Sequence, residues 1–147
     1  MKIKICLALA LSTFAVVVFS QTPMAPALYM KATDIASALQ QSAAERQNMA
    51  VARIKVEDDY GINVIRRTAA AGAIVHVVGT ELHFITEGAG TLVTGGIAIR
   101  PAEGEPATIE GGMAQRVSVG DAILIPEGTP HMYSAVEGSV TYLEVRF

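Results

Sequence analysis

The residues of this sequence best suited to hold a metal ion are its histidines and one glutamate. The chain has three histidines, His76, His83 and His131, and Glu81 lies between the first two. Imidazole and carboxylate groups are the ligands expected for Zn, Mn, Fe or Ni in a site that keeps an open coordination position. A first-row metal needs three or four such groups held in place. A site therefore forms only if the strands and turns that carry these residues bring them together.

His131 follows a stretch that combines a short strand with two sharp turns. Gly120-Asp121 is a tight-turn signal, and the apolar residues 122–125 then predict a short buried strand. Two prolines and a glycine within 126–130 force a second turn, since proline fixes φ and glycine supplies backbone freedom. His131 therefore begins the next strand with little freedom to move.

Strand alternation places the other candidate residues on shared faces. Successive side chains of a strand point to opposite faces, so residues two apart share a face. Glu81 and His83 share a face of one predicted strand, and Tyr133 shares a face with His131 on another. His76 lies on a predicted strand just upstream, so a common site requires these three faces to turn toward one another.

The chain ahead of these strands predicts one helix. Residues 34–48 are rich in helix formers, and either Thr33 or Asp34 can cap the helix. Its narrow apolar face consists of Ile35, Ala38, Leu39 and Ser42. We expect this face to pack against the outside of a sheet, with a partner-binding helix as the alternative.

From Met49 onward the hydrophobic period changes to two, and turn signals recur at short intervals. This pattern is typical of an all-β sandwich or barrel. The predicted strands are 50–56, 62–68, 74–78, 82–86, 90–94, 115–119, 122–125, 131–136 and 139–147. Residues 95–112, which include two prolines, predict a loop at the rim of the barrel.

Two groups of residues with regular spacing carry a family resemblance. Gly120, Pro126, Gly128 and His131 fit the pattern G(X)5PXG(X)2H(X)3N, with Ala135 in place of the asparagine. This pattern resembles the second motif of the cupin superfamily. The upstream group resembles the last part of the first cupin motif, HXH(X)3–4E(X)6G.

In that first motif, His76, Glu81 and Gly88 match, whereas Ile74 occupies the position of the first histidine. The resemblance implies an all-β fold of the cupin type, a double-stranded β-helix or jelly-roll barrel, with the predicted helix packed outside. Such a barrel brings His76, Glu81 and His131 together as ligands of a divalent ion, Fe, Mn, Zn or Ni. Two histidines and one carboxylate form the set found in non-haem Fe(II) facial triads and in some Zn sites.

His83 and Tyr133 are the candidate catalytic residues beside that site. Since the first motif histidine is absent, His83 either completes the ligand set or acts as a hydrogen-bonding partner or general acid/base, and we favour the second role. Tyr133 is either a packing residue or a contact for the bound molecule. Glu81 has a structural alternative, a carboxylate paired with Arg66 or Arg67.

The first twenty residues predict a secretory signal peptide. Lys2 and Lys4 form a basic start, residues 5–19 are mostly apolar, and Ser20 ends a pattern of small residues that suits cleavage. The apolar run is about 15 residues, shorter than the roughly 20 that a membrane span needs, which favours a cleaved signal peptide. The alternative is an uncleaved N-terminal anchor. We expect cleavage after Ser20 and a secreted or periplasmic protein with no stable membrane insertion.

The predicted organisation is a signal peptide over 1–20, a linker and helix over 21–48, and one barrel domain over 49–147. The single cysteine, Cys6, falls within the signal segment, so neither disulfides nor a thiol nucleophile are expected. Without Lys2 and Lys4, nine basic and fourteen acidic residues remain, a net charge of −5. This balance and the absence of tryptophan argue against a nucleic-acid partner.

These features predict an exported cupin that binds a divalent metal and a small molecule. The first functional hypothesis is an enzyme of isomerase, lyase or dioxygenase type that holds a small oxygen-bearing organic substrate on the metal. The second is a binding module that captures a small molecule or metal without catalysis. The resemblance also implies a homodimer, and the predicted inner faces suggest a mostly apolar pocket.

Overall fold

The computed structural model describes residues 22–101 and 103–147. In chain order the elements are the helix α1 (Ala32–Glu45) and the strands β1 (Met49–Val56), β2 (Gly61–Arg67), β3 (Glu81–Thr94), β4 (Ile97–Ile99), β5 (Thr108–Glu110), β6 (Met113–Ser118), β7 (Ala122–Ile125) and β8 (His131–Arg146). The predicted signal segment, residues 1–20, lies outside the described residues. Within the described ranges, no helix has the length and apolar character needed to cross a bilayer.

Six antiparallel strands form the main sheet, in the order β1-β2-β8-β3-β6, and β7 pairs with β3 beside that path. One edge of β3 pairs with β8 along its length, while the other edge pairs first with β7 and then with β6. β4 and β5 form a separate two-stranded hairpin. The predicted class, an all-β jelly roll with one helix outside it, is confirmed.

The two longest strands each replace a pair of shorter predicted ones. β3 runs through the predicted strands 82–86 and 90–94, and β8 runs through 131–136 and 139–147. The glycines between those predicted strands, Gly88 and Gly138, have φ of 69° and 75°. They lie at irregularities within continuous strands rather than at chain reversals, as glycines of β-bulges do.

The predicted strand over 74–78 is wrong. Only Ile74 pairs with another strand, through reciprocal backbone hydrogen bonds of 3.0 Å with His131. The His76 carbonyl instead accepts a hydrogen bond from the Gly128 N–H at 2.8 Å. Because the backbone groups of this segment bond to different neighbours in turn, they form no continuous ladder.

The helix α1 packs on the outer face of the sheet, as predicted. Its buried residue Leu39 packs with Ala50 and Ala52 of β1. The predicted caps are wrong, because the helix begins earlier and Thr33 and Asp34 lie inside its first turn. Lys31 occupies the cap position without a side-chain hydrogen bond.

The interior of the jelly roll is filled by apolar and aromatic side chains from five strands. These buried residues are Ile65, Ile85, Leu92, Val117, Ile125, Tyr133, Val140 and Tyr142. Four buried polar residues accompany the apolar core of the described chain: Glu81, His83, His131 and Thr141. Three of these four are the residues that the sequence singled out for chemistry.

Candidate metal centre

His131 is held by the turn that precedes β8. The Thr129 N–H bonds to the Pro126 carbonyl at 3.1 Å, and Gly128 in this turn has φ of 73°, which glycine adopts readily. The His131 Nδ1 lies 3.0 Å from the Thr129 carbonyl, an acceptor only, so Nδ1 carries the proton and donates it. The other ring nitrogen, Nε2, faces the interior toward Glu81, where it can bind a metal ion when it carries no proton.

Glu81 lies at the first position of β3 and is 2% exposed. Its position in the sheet, between Ile125 of β7 and Arg146 of β8, turns the carboxylate inward. Oε1 is 3.1 Å from His76 Nε2, and Oε2 is 3.2 Å from His131 Nε2. The structure thus brings His76, Glu81 and His131 together, with one ligand atom from each within 4.8 Å of the others.

His76 closes this group from the solvent side. Its side chain is 34% exposed, whereas those of Glu81 and His131 are almost fully buried. The Arg146 Nη1 lies 3.2 Å from His76 Nδ1 and, being a donor only, donates to it while the His76 Nε2 carries the ring proton. Binding of a metal at Nε2 would therefore require the ring proton to move to Nδ1 and this contact with Arg146 to break. The open side of the centre therefore lies at His76 and Arg146.

The polar atoms of the group fit a bound cation better than they fit one another. Both carboxylate oxygens of Glu81 and Nε2 of His131 are buried and have no well-aligned hydrogen-bond partner within the described chain. Two ligands that bind one ion at about 2.1 Å with an angle of roughly 90° to 110° lie about 3.0 to 3.4 Å apart. The observed separations, 3.1 Å from Oε1 to His76 and 3.2 Å from Oε2 to His131, fall in that range and suit a carboxylate that binds one ion through both oxygens.

The electrostatics keep Glu81 in the form that a ligand needs. Burial works against ionisation, but the close imidazoles of His131 and His83, together with the charge that His131 and His76 can carry, outweigh it. They hold the pKa of the Glu81 carboxyl well below its usual value. The alternative pairing with arginine is wrong, because Arg66 contacts Glu87 at 2.7 Å and Arg67 donates to the Tyr142 hydroxyl at 3.0 Å.

His83 lies on the same face of β3 as Glu81, two residues further along, as strand alternation predicts. Its Nε2 is 3.3 Å from Glu81 Oε2 and 4.0 Å from Glu144 Oε2. The structure groups His83 with these two carboxylates and not with His76 and His131. His83 thus lies beside the group formed by His76, Glu81 and His131, and its role as a hydrogen-bonding partner or general acid/base stays a prediction.

Tyr133 is buried beside His83, with its hydroxyl 3.5 Å from the His83 Nδ1. Its ring stacks on Tyr142, with centroids 5.2 Å apart, and the Arg67 guanidinium carbon lies 5.5 Å from the ring centre. Burial raises the pKa of the Tyr133 phenol far above its usual value. The hydroxyl therefore stays neutral at physiological pH and can donate a hydrogen bond, but it is a poor base.

Sequence reasoning missed three polar residues of the same interior, Asn63, Glu144 and Arg146. In the sheet, Glu144 lies opposite both Asn63 and His83, and Arg146 lies opposite Glu81. The available signal was alternation along the last strand, where both charged residues share a face with Tyr142. The expected mostly apolar pocket stays a prediction, since these polar groups join apolar and aromatic side chains around the centre.

Two openings of different size adjoin the centre. The interior space beside His83, Tyr133 and Glu144 has a volume of about 10 Å³, room for about one water molecule. The outer cleft has a volume of about 590 Å³. Its lining includes Tyr60, Asn63, His76, Val77, Arg146 and Phe147. A small organic molecule can therefore approach the centre through this cleft.

Comparison with known proteins places the fold among solved structures. No family model matches the chain, and no curated protein matches it in sequence. The crystal structure of Fe(II) HppE in complex with substrate matches with a TM-score of 0.53 and 17% identity, over 68% of this chain and 50% of HppE. This chain therefore spans about half the length of that protein.

Two smaller proteins match over most of their own length. KdgF from Halomonas sp. gives a TM-score of 0.50 and 18% identity, over 69% of this chain and 82% of KdgF. A cupin superfamily protein from Desulfitobacterium hafniense gives a TM-score of 0.50 and 12% identity, over 69% of this chain and 79% of its own. The fold of this chain is that of the cupin superfamily.

Proposed function

We propose that this protein is a metal-dependent cupin enzyme acting on a small oxygen-bearing organic molecule. The observation that carries the proposal is the convergence of His76, Glu81 and His131 around buried polar atoms with no aligned hydrogen-bond partner in the described chain. Leaving such atoms buried and unpaired costs about 1–3 kcal/mol each, and a bound cation would offset this cost by coordinating them. HppE has been crystallised with Fe(II) and with Co(II), which supports a divalent ion, and we propose Fe, Mn, Zn or Ni.

The surrounding residues supply the other parts of such a reaction. A bound divalent ion would polarise a carbonyl or carboxylate oxygen, or react with O2 if it is iron. The His83 Nε2 is placed to accept and return a proton when the Nδ1 carries the ring proton and donates it to the Tyr133 hydroxyl oxygen. Isomerase, lyase and dioxygenase reactions all fit this set of groups.

A second candidate function, a binding module without catalysis, is favoured by the filled interior. The cavity beside His83 and Tyr133 has room for only about one water molecule, so a substrate must be accommodated at the outer cleft. In this reading Arg146 and Asn63 anchor a ligand at the cleft and the ion completes its coordination. Turnover is what separates the two candidates.

Metal analysis of the purified protein tests the proposal. The protein should be isolated without an affinity-tag metal or chelator and then titrated with Fe(II), Mn(II), Zn(II) and Ni(II). We expect binding of at least one of these ions, and Glu81→Ala should weaken it by more than about 100-fold, since even the loss of an outer-shell partner costs 10- to 100-fold.

The matched control is Glu87→Ala, which removes an exposed carboxylate from the same strand. Its metal affinity should stay within about threefold of the wild-type value. A wild-type protein that binds none of the ions would overturn the proposal. Binding with no turnover of hydroxy, keto or carboxylate compounds would favour the module, and turnover lost in folded Glu81→Ala would favour the enzyme.

We further infer that the protein is exported and acts as a homodimer. The basic and apolar start of residues 1–20 and the small residues that end at Ser20 support a cleaved leader, followed by the linker and helix over 21–48 and the barrel over 49–147. The acidic net charge of the remaining chain is consistent with small-molecule rather than nucleic-acid partners. Neither export nor dimer formation alters the residues proposed for the metal centre.

The outer face of the sheet supports the dimer. Across β7, β3, β8 and β2, the residues that point outward are aligned in apolar rows by the strand register. These outward residues are Leu124, Leu82, Val145, Ile62, Phe84 and Leu143, and the second row ends at Val64, which helix α1 covers. The extended arm ahead of α1 also exposes Met24, Leu28 and Tyr29, so a second copy can cover the face with the same kind of surface.

A further inference from the structure

A second set of ligand atoms adjoins the first at the Glu81 carboxylate. His83 Nε2 lies 3.3 Å from Glu81 Oε2 and 4.0 Å from Glu144 Oε2, and these three atoms lie within 4.8 Å of one another. The side chains of Glu81 and His83 are at most 3% exposed, and that of Glu144 is 14% exposed. The side chains of this set are therefore at least as buried as those of the group formed by His76, Glu81 and His131.

The His83 ring gives the independent evidence for a ligand at this position. Its Nε2 is buried and has no hydrogen-bond partner within the described chain, although two carboxylates lie near it. Its Nδ1 is oriented toward the Tyr133 hydroxyl, so the ring has a partner on the opposite side. The ring is thus fixed with one nitrogen directed at the two carboxylates but aligned for a hydrogen bond with neither.

Glu144 is held in a matching way. Its Oε1 accepts a hydrogen bond from Asn63 Nδ2 at 2.9 Å, which leaves Oε2 facing His83. Asn63 Oδ1 is also buried without a hydrogen-bond partner in the described part of the chain. The sheet register fixes this arrangement, because Asn63, Glu144 and His83 lie side by side on three neighbouring strands.

We propose that Glu81, His83 and Glu144 form a second divalent-cation position, with Glu81 bridging it to the first. The inference rests on the proposed function, since Glu81 is shared with the ligands His76 and His131. One imidazole and two carboxylates suit Mn(II), Fe(II) or Zn(II). Two ions that share a carboxylate can hold two oxygen atoms of one substrate, or one oxygen and a water molecule.

The charge balance predicts that the second ion binds more weakly than the first. One divalent ion neutralises the carboxylates of Glu81 and Glu144, whereas a second leaves an excess of positive charge near the guanidinium groups of Arg67 and Arg146. We therefore expect stepwise binding, with the second dissociation constant about 10- to 100-fold above the first.

Titration of the full protein with Mn(II), followed by electron paramagnetic resonance, tests the second position. Free Mn(II) gives the stoichiometry, and two bound ions that share a carboxylate give a spin-coupled spectrum. We expect two ions in the wild-type protein. Glu144→Gln should bind one ion, with the uncoupled spectrum of an isolated Mn(II).

The matched control is Glu137→Gln, which removes an exposed carboxylate of the same strand that pairs with Arg116 at 2.7 Å. It should still bind two ions. Thermal unfolding monitors the fold of each variant, and His83→Asn replaces Glu144→Gln if that variant does not fold. A wild-type protein that saturates with one ion, or a Glu144→Gln protein that still binds two, would overturn the second position.

A wild-type protein that saturates with one ion leaves the proposed function standing, because His76, Glu81 and His131 suffice for it. A protein that binds none of Mn(II), Fe(II), Zn(II) and Ni(II) removes the proposed function together with the second position. The two failures are therefore distinguishable by titration.

Discussion

At the residue scale, the centre is a buried carboxylate surrounded by imidazoles. Glu81 has both oxygens within 3.3 Å of histidine nitrogens, yet none of these contacts is a well-aligned hydrogen bond in the described chain. An isolated buried charge is costly, so a buried carboxylate needs neighbours that stabilise its charged form. The depressed pKa of the Glu81 carboxyl shows that its surroundings favour the charged form. A cation at this point would satisfy the carboxylate and the unprotonated ring nitrogens at the same time.

The alkaline titration of the buried tyrosines is a prediction at this scale. Burial raises the pKa of Tyr142 to about 12 and that of Tyr133 further still. Because both shifts are upward, the neutral phenols contribute stability below the unfolded pKa of about 10, and this contribution is lost as the pH rises through the folded pKa. We expect the last phenolate absorbance to appear only above about pH 12, together with unfolding followed by circular dichroism.

Tyr133→Phe and Tyr142→Phe should each reduce this late absorbance step, whereas Tyr60→Phe, at a 38% exposed position, should leave it unchanged. If phenolate absorbance were complete well below pH 12 in a protein with a native circular dichroism spectrum, the buried hydroxyls could not be the neutral donors described above.

Sequence reasoning identified the three central residues because the motif spacing survives in them. His76, Glu81 and His131 lie together as the resemblance implied. Sequence reasoning missed Glu144 because a lone carboxylate in the last strand belongs to no motif with a recognisable spacing. Its partner His83 lies far away in the chain, and only the strand register places the two side by side.

At the element scale, the two long strands β3 and β8 carry most of the centre. They supply Glu81, His83, His131 and Glu144, and they pair with each other from one end to the other. Register shifts interrupt this pairing around Gly88, where the strands bend. The bend lets β3 pair with β7 near Glu81 and with β6 farther along.

Substitution of Gly88 by alanine is the prediction at this scale. An alanine Cβ there would lie 1.9 Å from the Ser139 carbonyl oxygen, and φ is 69°. The overlap involves backbone that cannot turn aside, so we expect a loss of about 2 to 4 kcal/mol in the free energy of unfolding. Urea denaturation of the metal-free protein measures it.

Gly138→Ala is the matched control, because Gly138 has φ of 75° but no atom within 4 Å of the added Cβ. It should cost about 1 kcal/mol, the conformational penalty alone. Equal losses in the two variants would mean that the backbone contact at Gly88 is not what requires glycine there.

The predicted elements match the structure where the hydrophobic pattern continues over many residues. The prediction fails where a glycine bends a strand or where the backbone pairs irregularly. Helix α1 and strands β1, β2 and β7 match the predicted segments within a few residues. Gly88 and Gly138 suggested turns because a sequence does not reveal whether a glycine reverses a strand or bends it. The segment over 74–78 alternates like a strand, but its hydrogen bonds go to separate partners.

At the scale of the whole molecule, the four strands around the centre carry polar side chains on their inner face beside the apolar core, and apolar side chains on their outer face. On β3, Glu81 and His83 point inward, whereas Leu82 and Phe84 point outward. Helix α1 covers the neighbouring part of the outer face, over Ala52 and Val64. Beyond the helix the apolar rows continue, and Phe84 and Leu124 are 42% and 60% exposed. We assign this outer face to a second copy because its exposed apolar side chains would be removed from water in a dimer.

Native mass spectrometry and sedimentation of the protein, produced with its complete N-terminal segment in a bacterial host, test the assembly. We expect a dimer whose subunits begin at Gln21. Phe84→Glu places a charge at the centre of the apolar face and should raise the dimer dissociation constant by more than about 100-fold, as loss of a central interface residue does. Ile97→Glu, at a 67% exposed position on the separate hairpin, should leave the dimer intact. A wild-type monomer at micromolar concentration, or a Phe84→Glu protein that remains dimeric, would show that this face is not the interface.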